Sequence, residues 1–358
     1  MRKTLWIHIG HFKTGTTALQ VFCAWNKANL AKHGISYSPE CQKHSKHSKL
    51  AFSLYRQAGI THLMHGFAND TPAKEHWDVV LNEALSNSAP ATLISSEEFM
   101  RLGSHPDAEQ LLASIIEPWR NKFDFRVVAY LRSPDAHLHS WYNQLIKMSQ
   151  PIPDFNAAVT SVMEAVHYDY ALALAPWRRI FGDGAINIRA YRDDFKNSTA
   201  LYSDFLATLD VQAGTDLSDW KHPQKDVNPR MDEHLLQYIR IANRLNIAPE
   251  GRDWLKKRIC AVLEGAQDGG HSSFKEIISQ SQQGLELIDS ELPHGLDIEA
   301  MLQDSPRPDE SGASEMQIAL EIALGEIAVL RRQQRQSLKT LSERLDALEK
   351  LPKGRLLR

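Results

Sequence analysis

Short apolar runs alternate with longer amphipathic stretches along the first 290 residues of the chain. The runs lie at residues 4–9 (TLWIHI), 91–95 (ATLIS), 125–131 (FRVVAYL) and 185–191 (AINIRAY), and a shorter strand is expected at 35–37. Such runs are typical of strands buried on both faces of a sheet. Because strands that alternate with helices pair in parallel through right-handed crossovers, the pattern predicts an α/β three-layer sandwich with a central parallel sheet.

Amphipathic helices are predicted between and after these strands. Apolar residues share one helical face over residues 19–30, where the face is interrupted at Asn26. The same spacing recurs over residues 77–85, and a purely helical pattern over 231–263 predicts a cover for the sheet. Residues 1–290 are therefore predicted to form one domain.

The end of the chain follows a different pattern. Residues 290–314 are rich in Pro, Asp, Ser and Gly and predict a linker, and residues 315–351 predict a long C-terminal helix. That helix carries a 4-3-4-3 stripe of mainly apolar residues, formed by Leu320, Leu324, Ile327, Arg331, Gln334, Leu338, Leu341, Leu345 and Leu348. The stripe indicates either a coiled coil that joins copies of the chain in a homo-oligomer, or a single amphipathic helix lying on the main domain.

Composition and charge narrow the class of protein. The 358 residues carry a net charge of −3, with 42% hydrophobic and 24% charged residues, which is typical of a soluble globular protein and disfavours nucleic acid as a partner. Three cysteines, no leader pattern and no long apolar run predict a cytoplasmic protein without disulfides. The last 28 residues carry +6, so the tail, which ends in Lys353, Arg355 and Arg358, is also a candidate for contact with an anionic surface.

A glycine-flanked loop follows the first predicted strand. Residues 10–17 read GHFKTGTT and open the first predicted helix, whose N-terminal amides and dipole favour a bound anion. Nucleotide triphosphatases use GxxxxGK[ST], but this chain has Thr16 after Gly15, and its lysine, Lys13, lies inside the loop. The loop therefore predicts a site for a shorter anion and chemistry without a metal. The alternative is a plain strand-to-helix turn capped by Thr14 or Thr16.

A second candidate anion site follows the strand at residues 125–131. Arg132 comes at the carboxyl end of that strand, and Ser133 and Pro134 are typical of a helix start. Ser140 is expected in the second turn of that helix. An arginine fork with a hydroxyl nearby can hold a phosphate, although an arginine at a strand end is as often part of a surface ion pair.

Together the two segments resemble the sulfotransferases that use 3′-phosphoadenosine 5′-phosphosulfate (PAPS). Their signature is a strand, a KTGTT-type loop and a helix, then a later strand followed by R(x)7S, here residues 13–20 and 132–140. The strings at 185–209 and 226–230 are also similar to that family. The resemblance covers residues 4–265, and it is closer to bacterial and carbohydrate-type sulfotransferases than to the small-phenol type, whose RKGxxG adenine loop is absent.

The resemblance implies a fold like that of P-loop nucleotide-binding proteins, PAPS as co-substrate and the bisphosphate PAP as product, with no metal. The residues expected to bind the 5′-phosphosulfate are Lys13, Thr14, Gly15, Thr16 and Thr17, with Lys13 near the bridging oxygen. Arg132 and Ser140 are expected to hold the 3′-phosphate. The sulfuryl group would pass to a hydroxyl of a carbohydrate, glycolipid or small metabolite.

A general base is also required, because an acceptor hydroxyl must lose a proton. Glu97 and Glu98 follow the strand at 91–95, at the sheet edge where α/β folds place their sites. Glu97 is slightly favoured, and either carboxylate alternatively serves only to balance a helix dipole. His11 is the next candidate, and its alternative, which is favoured, is a loop residue that caps the backbone. The segment 41–49 (CQKHSKHSK) indicates either contact with an anionic ligand or a solvated loop.

Two other functions compete with sulfuryl transfer. A nucleotide kinase or NTPase on the same fold is disfavoured because no lysine follows Gly15. A non-catalytic scaffold that works through its C-terminal helix is disfavoured by the presence of Lys13, Arg132 and Ser140.

Overall fold

The computed structural model describes residues 2–61, 63, 67–192, 194–195, 199–223, 233–245, 275–291 and 315–349. Several sequence predictions lie outside these residues. They are the motif at 226–230, most of the linker predicted at 290–314, the helical pattern beyond 245, and the basic residues Lys353, Arg355 and Arg358.

Five parallel strands form the central sheet, in the order β2-β3-β1-β4-β5. Their bounds are β1 (Lys3–Gly10), β2 (Ile35–Tyr37), β3 (Ala91–Ser95), β4 (Phe123–Leu131) and β5 (Ile186–Ala190). Each predicted strand is present, with ends that differ by two residues at most. The neighbours of β1 are β3 and β4, so the carboxyl ends of these three strands lie side by side.

Helices account for most of the remaining described residues. They are α1 (Thr16–Trp25), α2 (Lys27–Lys32), α3 (Ser48–Gln57), α4 (Ala73–Ser86), α5 (Pro106–Ile116), α6 (Pro134–Lys147), α7 (Phe155–Ser161), α8 (Tyr170–Phe181), α9 (Ala200–Thr208), α10 (Glu233–Arg244), α11 (Lys275–Glu291) and α12 (Glu315–Glu349). A 3-10 helix, Glu97–Ser104, follows β3 directly.

The sheet is covered on both faces, as the apolar strands predict. Alternate side chains of β1 point to opposite sides, so that Leu5 and Ile7 join one core and Trp6 joins the other. The first core is closed by α3, α4, α5 and α8, and the second by α1, α2 and α9. The prediction of a three-layer α/β sandwich with a long C-terminal helix is confirmed.

The predicted helix over residues 19–30 is divided in two at Asn26. The side-chain amide of Asn26 donates to the carbonyl oxygens of Phe22 and Lys221, each at 2.8 Å, and its oxygen accepts from the Lys221 amide at 2.8 Å. Asn26 therefore ends α1 and ties it to a segment nearly 200 residues later in the chain. The break in the apolar face thus marks a helix boundary.

The chain divides into two compact units. One, built from residues 1–141, 159–230 and 273–307, contains the sheet; the other, built from 142–158, 231–272 and 308–358, contains α10 and α12. In the second unit Leu324 of α12 is 4% exposed, whereas the side chains of residues 332–347 are exposed. Among the described residues, no helix combines the length and the apolar character needed to cross a bilayer.

The 3-10 helix after β3 packs closely on α8, and this contact depends on a glycine. A Cβ atom at Gly103 would lie 2.2 Å from the carbonyl oxygen of Leu172, a backbone atom that cannot rotate away. We expect Gly103→Ala to lower the free energy of unfolding by about 1–3 kcal/mol, the usual cost of overpacking. The measurement is urea unfolding.

Gly184→Ala is the matched control for this substitution, because nothing lies within 4 Å of a Cβ at Gly184. We expect its effect to stay within about 0.5 kcal/mol. Equal stability of the two variants would contradict the close packing of Gly103 on α8.

Candidate active site

The loops that follow β1, β3 and β4 meet at one edge of the sheet. His8 of β1 is in register with Ser95 at the end of β3, and Gly10 is in register with Ala129 near the end of β4. Parallel strands place their carboxyl ends at the same edge, where α/β proteins bind ligands. Three of the predicted site segments therefore come together: residues 11–17, residues 97–98 and Arg132.

The first loop is held in shape by its own hydroxyl groups. The side chains of Thr14 and Thr16 both donate to the carbonyl oxygen of His11, each at 2.7 Å. Lys13 has a φ of 62°, and Gly15, with a φ of 73°, precedes α1. A Cβ at Gly15 would lie 2.7 Å from Cδ2 of Leu201, so this left-handed turn requires a glycine.

The hydroxyl group of Thr16 is thus engaged within the loop, and its side chain is buried. Thr17, in contrast, is exposed at the start of α1. The first turn of α1 carries no acidic residue, and the amides of a first helical turn have no partner within the helix. Such a helix start is electrostatically suited to an anion.

Glu97 lies directly against the first loop. A Cβ at Gly10 would be only 3.1 Å from Cα of Glu97, so the absence of a side chain at Gly10 permits this close approach. The Glu97 carboxylate accepts from Nζ of Lys46 at 2.8 Å and from Nε2 of Gln20 at 2.7 Å. Its side chain is 13% exposed, so it keeps some access to solvent.

Glu98 is bound more deeply. Its carboxylate accepts from Nζ of Lys46 at 2.8 Å, from Ser48 Oγ at 2.7 Å and from Ser96 Oγ, and its side chain is fully buried. The single ammonium group of Lys46 therefore bridges both carboxylates.

The charges of this cluster shift one another's proton affinity. Burial alone would raise the pKa of Glu97, but the ammonium charge of Lys46 and the hydrogen bonds from Lys46 and Gln20 hold that pKa below its usual value. Burial alone would likewise lower the pKa of Lys46, yet the two carboxylates raise it above the ordinary range of a lysine. Glu97 is therefore ionised and Lys46 protonated at neutral pH.

Arg132 and Ser140 extend the site along α6. Nη1 of Arg132 makes a long hydrogen bond, 3.4 Å, to the carbonyl oxygen of Lys13, and the guanidinium carbon lies 6.0 Å from the ring centre of Tyr191. Tyr170 donates its hydroxyl to the backbone oxygen of Arg132 at 2.8 Å. Ser140 is half-buried in the second turn of α6.

The imidazole ring of His11 is held by backbone groups on both of its nitrogens. Its Nε2 lies 2.8 Å from the carbonyl oxygen of Val166, and its Nδ1 accepts from the amide of Phe12 at 2.7 Å. Burial lowers the pKa of His11 to about 4, against the opposing effect of the Val166 hydrogen bond. Because both ring nitrogens are bonded to the backbone and the side chain is fully buried, the geometry favours Glu97 over His11 as a proton acceptor.

A group of three buried histidines lies beside the loop. Ligand atoms of His11, His137 and His167 lie within 4.8 Å of one another, and Nε2 of His137 is 3.1 Å from Nδ1 of His167. Burial first, and then neighbouring charges that include Lys13 and Arg132, holds the pKa of His137 well below its usual value. The charges of Lys13 and Arg132 oppose a divalent cation at His137, and His11 would have to give up a backbone hydrogen bond to bind one.

Two residues of the site, Lys46 and Gln20, are not identifiable from the sequence. Residues 41–49 are basic, but composition does not tell which of their lysines points inward. Gln20 lies near the apolar face of α1 and gives no signal by its type alone. Both are located only by their contacts with Glu97.

The chain is distantly similar to known proteins. No protein-family profile matches the chain. It is 28% identical over 165 residues to an uncharacterised protein of Archaeoglobus fulgidus; the match covers 45% of this chain and 40% of that protein, so the chain spans about two fifths of the length of this relative. Among solved structures it is similar to a sulfotransferase from Alicyclobacillus acidocaldarius, at 15% identity and a TM-score of 0.40, over 69% of this chain and 92% of the other. That similarity is too low to assign an activity.

Removing the Lys46 ammonium should destabilise the protein in a pH-dependent way. Lys46→Met leaves the buried carboxylate of Glu98 and that of Glu97 without their cation, and breaking a buried ion pair costs about 3–5 kcal/mol. The pKa of Glu97 is lowered in the folded state, so this stabilisation is present above the unfolded pKa of about 4.3 and is lost as pH falls through the folded pKa. The decrease in the free energy of unfolding caused by Lys46→Met, measured by urea unfolding, should therefore be largest at pH 7 and become smaller at acidic pH.

Lys43→Met serves as the control, because Lys43 is exposed in the same segment. We expect it to change the free energy of unfolding by less than about 0.5 kcal/mol. If Lys46→Met were no more destabilising than Lys43→Met at pH 7, the bridge between the two carboxylates would be disproved.

Proposed function

We propose that the protein is a sulfotransferase, which transfers the sulfuryl group of PAPS to a hydroxyl of a carbohydrate, glycolipid or small metabolite. One observation carries the proposal: Lys13, Glu97 and Arg132 converge at the carboxyl edge of β1, β3 and β4. A cation, a carboxylate and a guanidinium group at one edge supply the charges that this transfer requires.

The first loop supports binding of the 5′-phosphosulfate. The start of α1 offers amides and a positive dipole end with no acidic residue nearby, and Thr17 is exposed there. Lys13 adds a positive charge inside the loop. A cation at this position stabilises the negative charge that develops on the phosphate as the leaving group departs.

The second segment supports recognition of the 3′-phosphate, the group that distinguishes PAPS from ATP. Arg132 reaches across to the backbone of Lys13, so its guanidinium group lies beside the first loop. Ser140 is carried two turns along α6, with a hydroxyl suited to the same phosphate. A planar guanidinium group can donate two parallel hydrogen bonds to a phosphate.

Glu97 is the proposed general base. The hydroxyl oxygen of the acceptor attacks sulfur and loses its proton to Glu97, while the bond between sulfur and the 5′-phosphate oxygen breaks with its electron pair on that oxygen. Lys46 and Gln20 fix the orientation of the Glu97 carboxylate. Glu98 is less suited, because its oxygens are bound by Lys46, Ser48 and Ser96 and its side chain is fully buried.

A kinase or NTPase is the second candidate, and the geometry of Thr16 counts against it. Such enzymes place a lysine after the last glycine of the loop, followed by a Ser or Thr hydroxyl for Mg²⁺. Thr16 occupies the lysine position here, and its hydroxyl donates to His11 inside the loop. A non-catalytic scaffold makes the opposite prediction to ours, namely that no sulfuryl transfer occurs.

The donor is tested by a thermal shift measured with PAP and, separately, with ATP and Mg²⁺. Ligand at about a hundred times its dissociation constant adds about 2.7 kcal/mol to the folded state, which for a chain of 358 residues raises Tm by roughly 4 °C. We expect this shift with PAP and a much smaller one with ATP. A shift with ATP and Mg²⁺ and none with PAP would contradict the sulfotransferase proposal and favour the kinase.

Substitutions separate the proposed roles of the two cations. Arg132→Ala should abolish most of the PAP shift and raise KM for the donor, whereas Lys13→Ala should lower kcat by about 10²- to 10³-fold and change donor binding less. The readout is transfer of labelled sulfate from PAPS to a panel of sugar, lipid and phenol hydroxyls.

Arg126→Ala is the matched control, because Arg126 lies on β4, the strand that Arg132 follows, but away from its carboxyl end, and is paired with Asp124. It should leave both the PAP shift and turnover unchanged. Loss of affinity in Lys13→Ala and Arg132→Ala alike, with turnover intact, would refute this assignment of roles.

A further inference from the structure

His11 joins the first loop (residues 10–17) to the segments on both sides of it. Its amide donates to the carbonyl oxygen of Tyr130 in β4 at 2.8 Å, and its Nε2 lies 2.8 Å from the carbonyl oxygen of Val166, in the 3-10 helix Ala165–His167. Its own carbonyl oxygen accepts the two threonine hydroxyl groups that shape the loop. The shape of the loop therefore depends on the bonds of this residue.

These bonds require one protonation state of the His11 ring. A backbone N–H can only donate, so Nδ1 of His11, which lies 2.7 Å from the Phe12 amide, must present a lone pair. The proton of the neutral ring is then on Nε2, which donates it to Val166. A second proton on Nδ1 would point at the N–H of Phe12 and break that bond, directly before Lys13.

His137 of α6 and His167 are bonded to each other in a similar way. Nε2 of His137 lies 3.1 Å from Nδ1 of His167, so one of the two nitrogens carries a proton and the other presents a lone pair. The ring centre of His137 also lies 4.1 Å from that of His11, and all three side chains are buried. We call His11, His137 and His167 the imidazole cluster. It connects the first loop, α6 and the 3-10 helix Ala165–His167.

The charged and titratable groups around the imidazole cluster offer little support for a positive ring. They are Lys13 of the first loop, Arg132 after β4, Arg101 of the 3-10 helix Glu97–Ser104, Glu164 before the 3-10 helix Ala165–His167, Tyr170 of α8, and Asp135 and His139 of α6. The carboxylate of Glu164 is already bonded to Arg101. Asp135 lies 3.8 Å from Nε2 of His139 and two residues from His137, so it projects from a different face of α6 than His137 does.

Burial is the largest influence on each ring, and it opposes the charged form. It lowers the pKa of His11 to about 4 and the pKa values of His137 and His167 well below their usual value. Neighbouring positive charges, which include Arg132 and Lys13, lower the pKa of His137 further. A histidine in an unfolded chain has a pKa of about 6.5. Opening of the cluster is therefore accompanied by uptake of protons below that pH.

We propose that the imidazole cluster is an acid-sensitive switch: its uncharged rings hold the first loop against α6 and the 3-10 helix Ala165–His167, and protonation of the rings releases the loop. Acid would then weaken anion binding at this loop, although an added positive charge beside Lys13 should by itself strengthen it. This effect on the sulfuryl donor rests on the proposed function, whereas release of the loop does not.

Hydrogen exchange of the full chain without ligand tests release of the loop. Exchange of the amides at 11–17, divided by its intrinsic rate, measures the population of the open loop. Each ring that gains a proton on opening raises that population by about sevenfold between pH 6 and pH 5, so three rings should raise it by roughly 10²- to 10³-fold. The amides of β3 should exchange far more slowly at both pH values. Equal exchange of β3 and the loop, or a rise of less than about tenfold in the loop, would overturn the proposal.

His137→Gln combined with His167→Asn removes two protonation sites and places an amide group near each of the bonded nitrogens. The rise in loop exchange between pH 6 and pH 5 should fall to about sevenfold, which is the contribution of His11 alone. His139→Gln is the matched control, because His139 is a partly exposed histidine on the same helix, and it should behave like the wild type. A double variant that keeps the full rise would contradict the switch.

The wild-type chain with ¹⁵N-labelled histidine gives a second measurement, which serves if the double variant does not fold. At pH 7 the His11 ring should be protonated at Nε2 and not at Nδ1, and protonation of the cluster should coincide with opening of the loop. A His11 ring protonated at Nδ1, or rings that all titrate near pH 6.5 while the loop stays protected, would disprove the switch. Neither measurement uses PAP, so failure of the switch and failure of the proposed transfer activity are distinguished.

Discussion

The ammonium group of Lys46 is the contact on which the candidate site most depends. Two carboxylates, one of them fully buried, share this single cation at the end of β3. A buried carboxylate is tolerated only when its oxygens are bound, and here Lys46, Ser48 and Ser96 bind those of Glu98. The segment before α3 is thereby fixed to the segment after β3, and Glu97 is held against Gly10 at the edge of β1.

The same contact limits what Glu97 can do in the proposed reaction. Pairing with Lys46 keeps the carboxylate ionised at neutral pH but also lowers its affinity for a proton. A weakened base contributes less to removing the acceptor proton. More of the proposed catalysis would then fall to the charges that stabilise the leaving phosphate, which is the role given to Lys13.

The layers of the fold are predictable from the sequence because each strand is buried on both faces. A strand buried in this way has an unbroken run of apolar residues, which is visible in the sequence. Lys13 and Arg132 are also foreseeable, since both follow apolar strands at a known edge of the sheet. Gln20 and Lys46 are not, because their contacts with Glu97 span 77 and 51 residues and leave no local pattern. The division between α1 and α2 also depends on a long-range contact, because Asn26 is bonded to Lys221, 195 residues away.

The bond from His11 to Val166 joins residues 155 positions apart. At a synthesis rate of about 5–20 residues per second, Val166 follows His11 out of the ribosome after roughly 8–30 s. β4, which flanks β1, also emerges long after it. The nascent loop at residues 10–17 is thus complete in covalent structure well before the chain segments that brace it exist. The loop can therefore take its final shape only late in synthesis, although it directly follows β1, the earliest of the described strands.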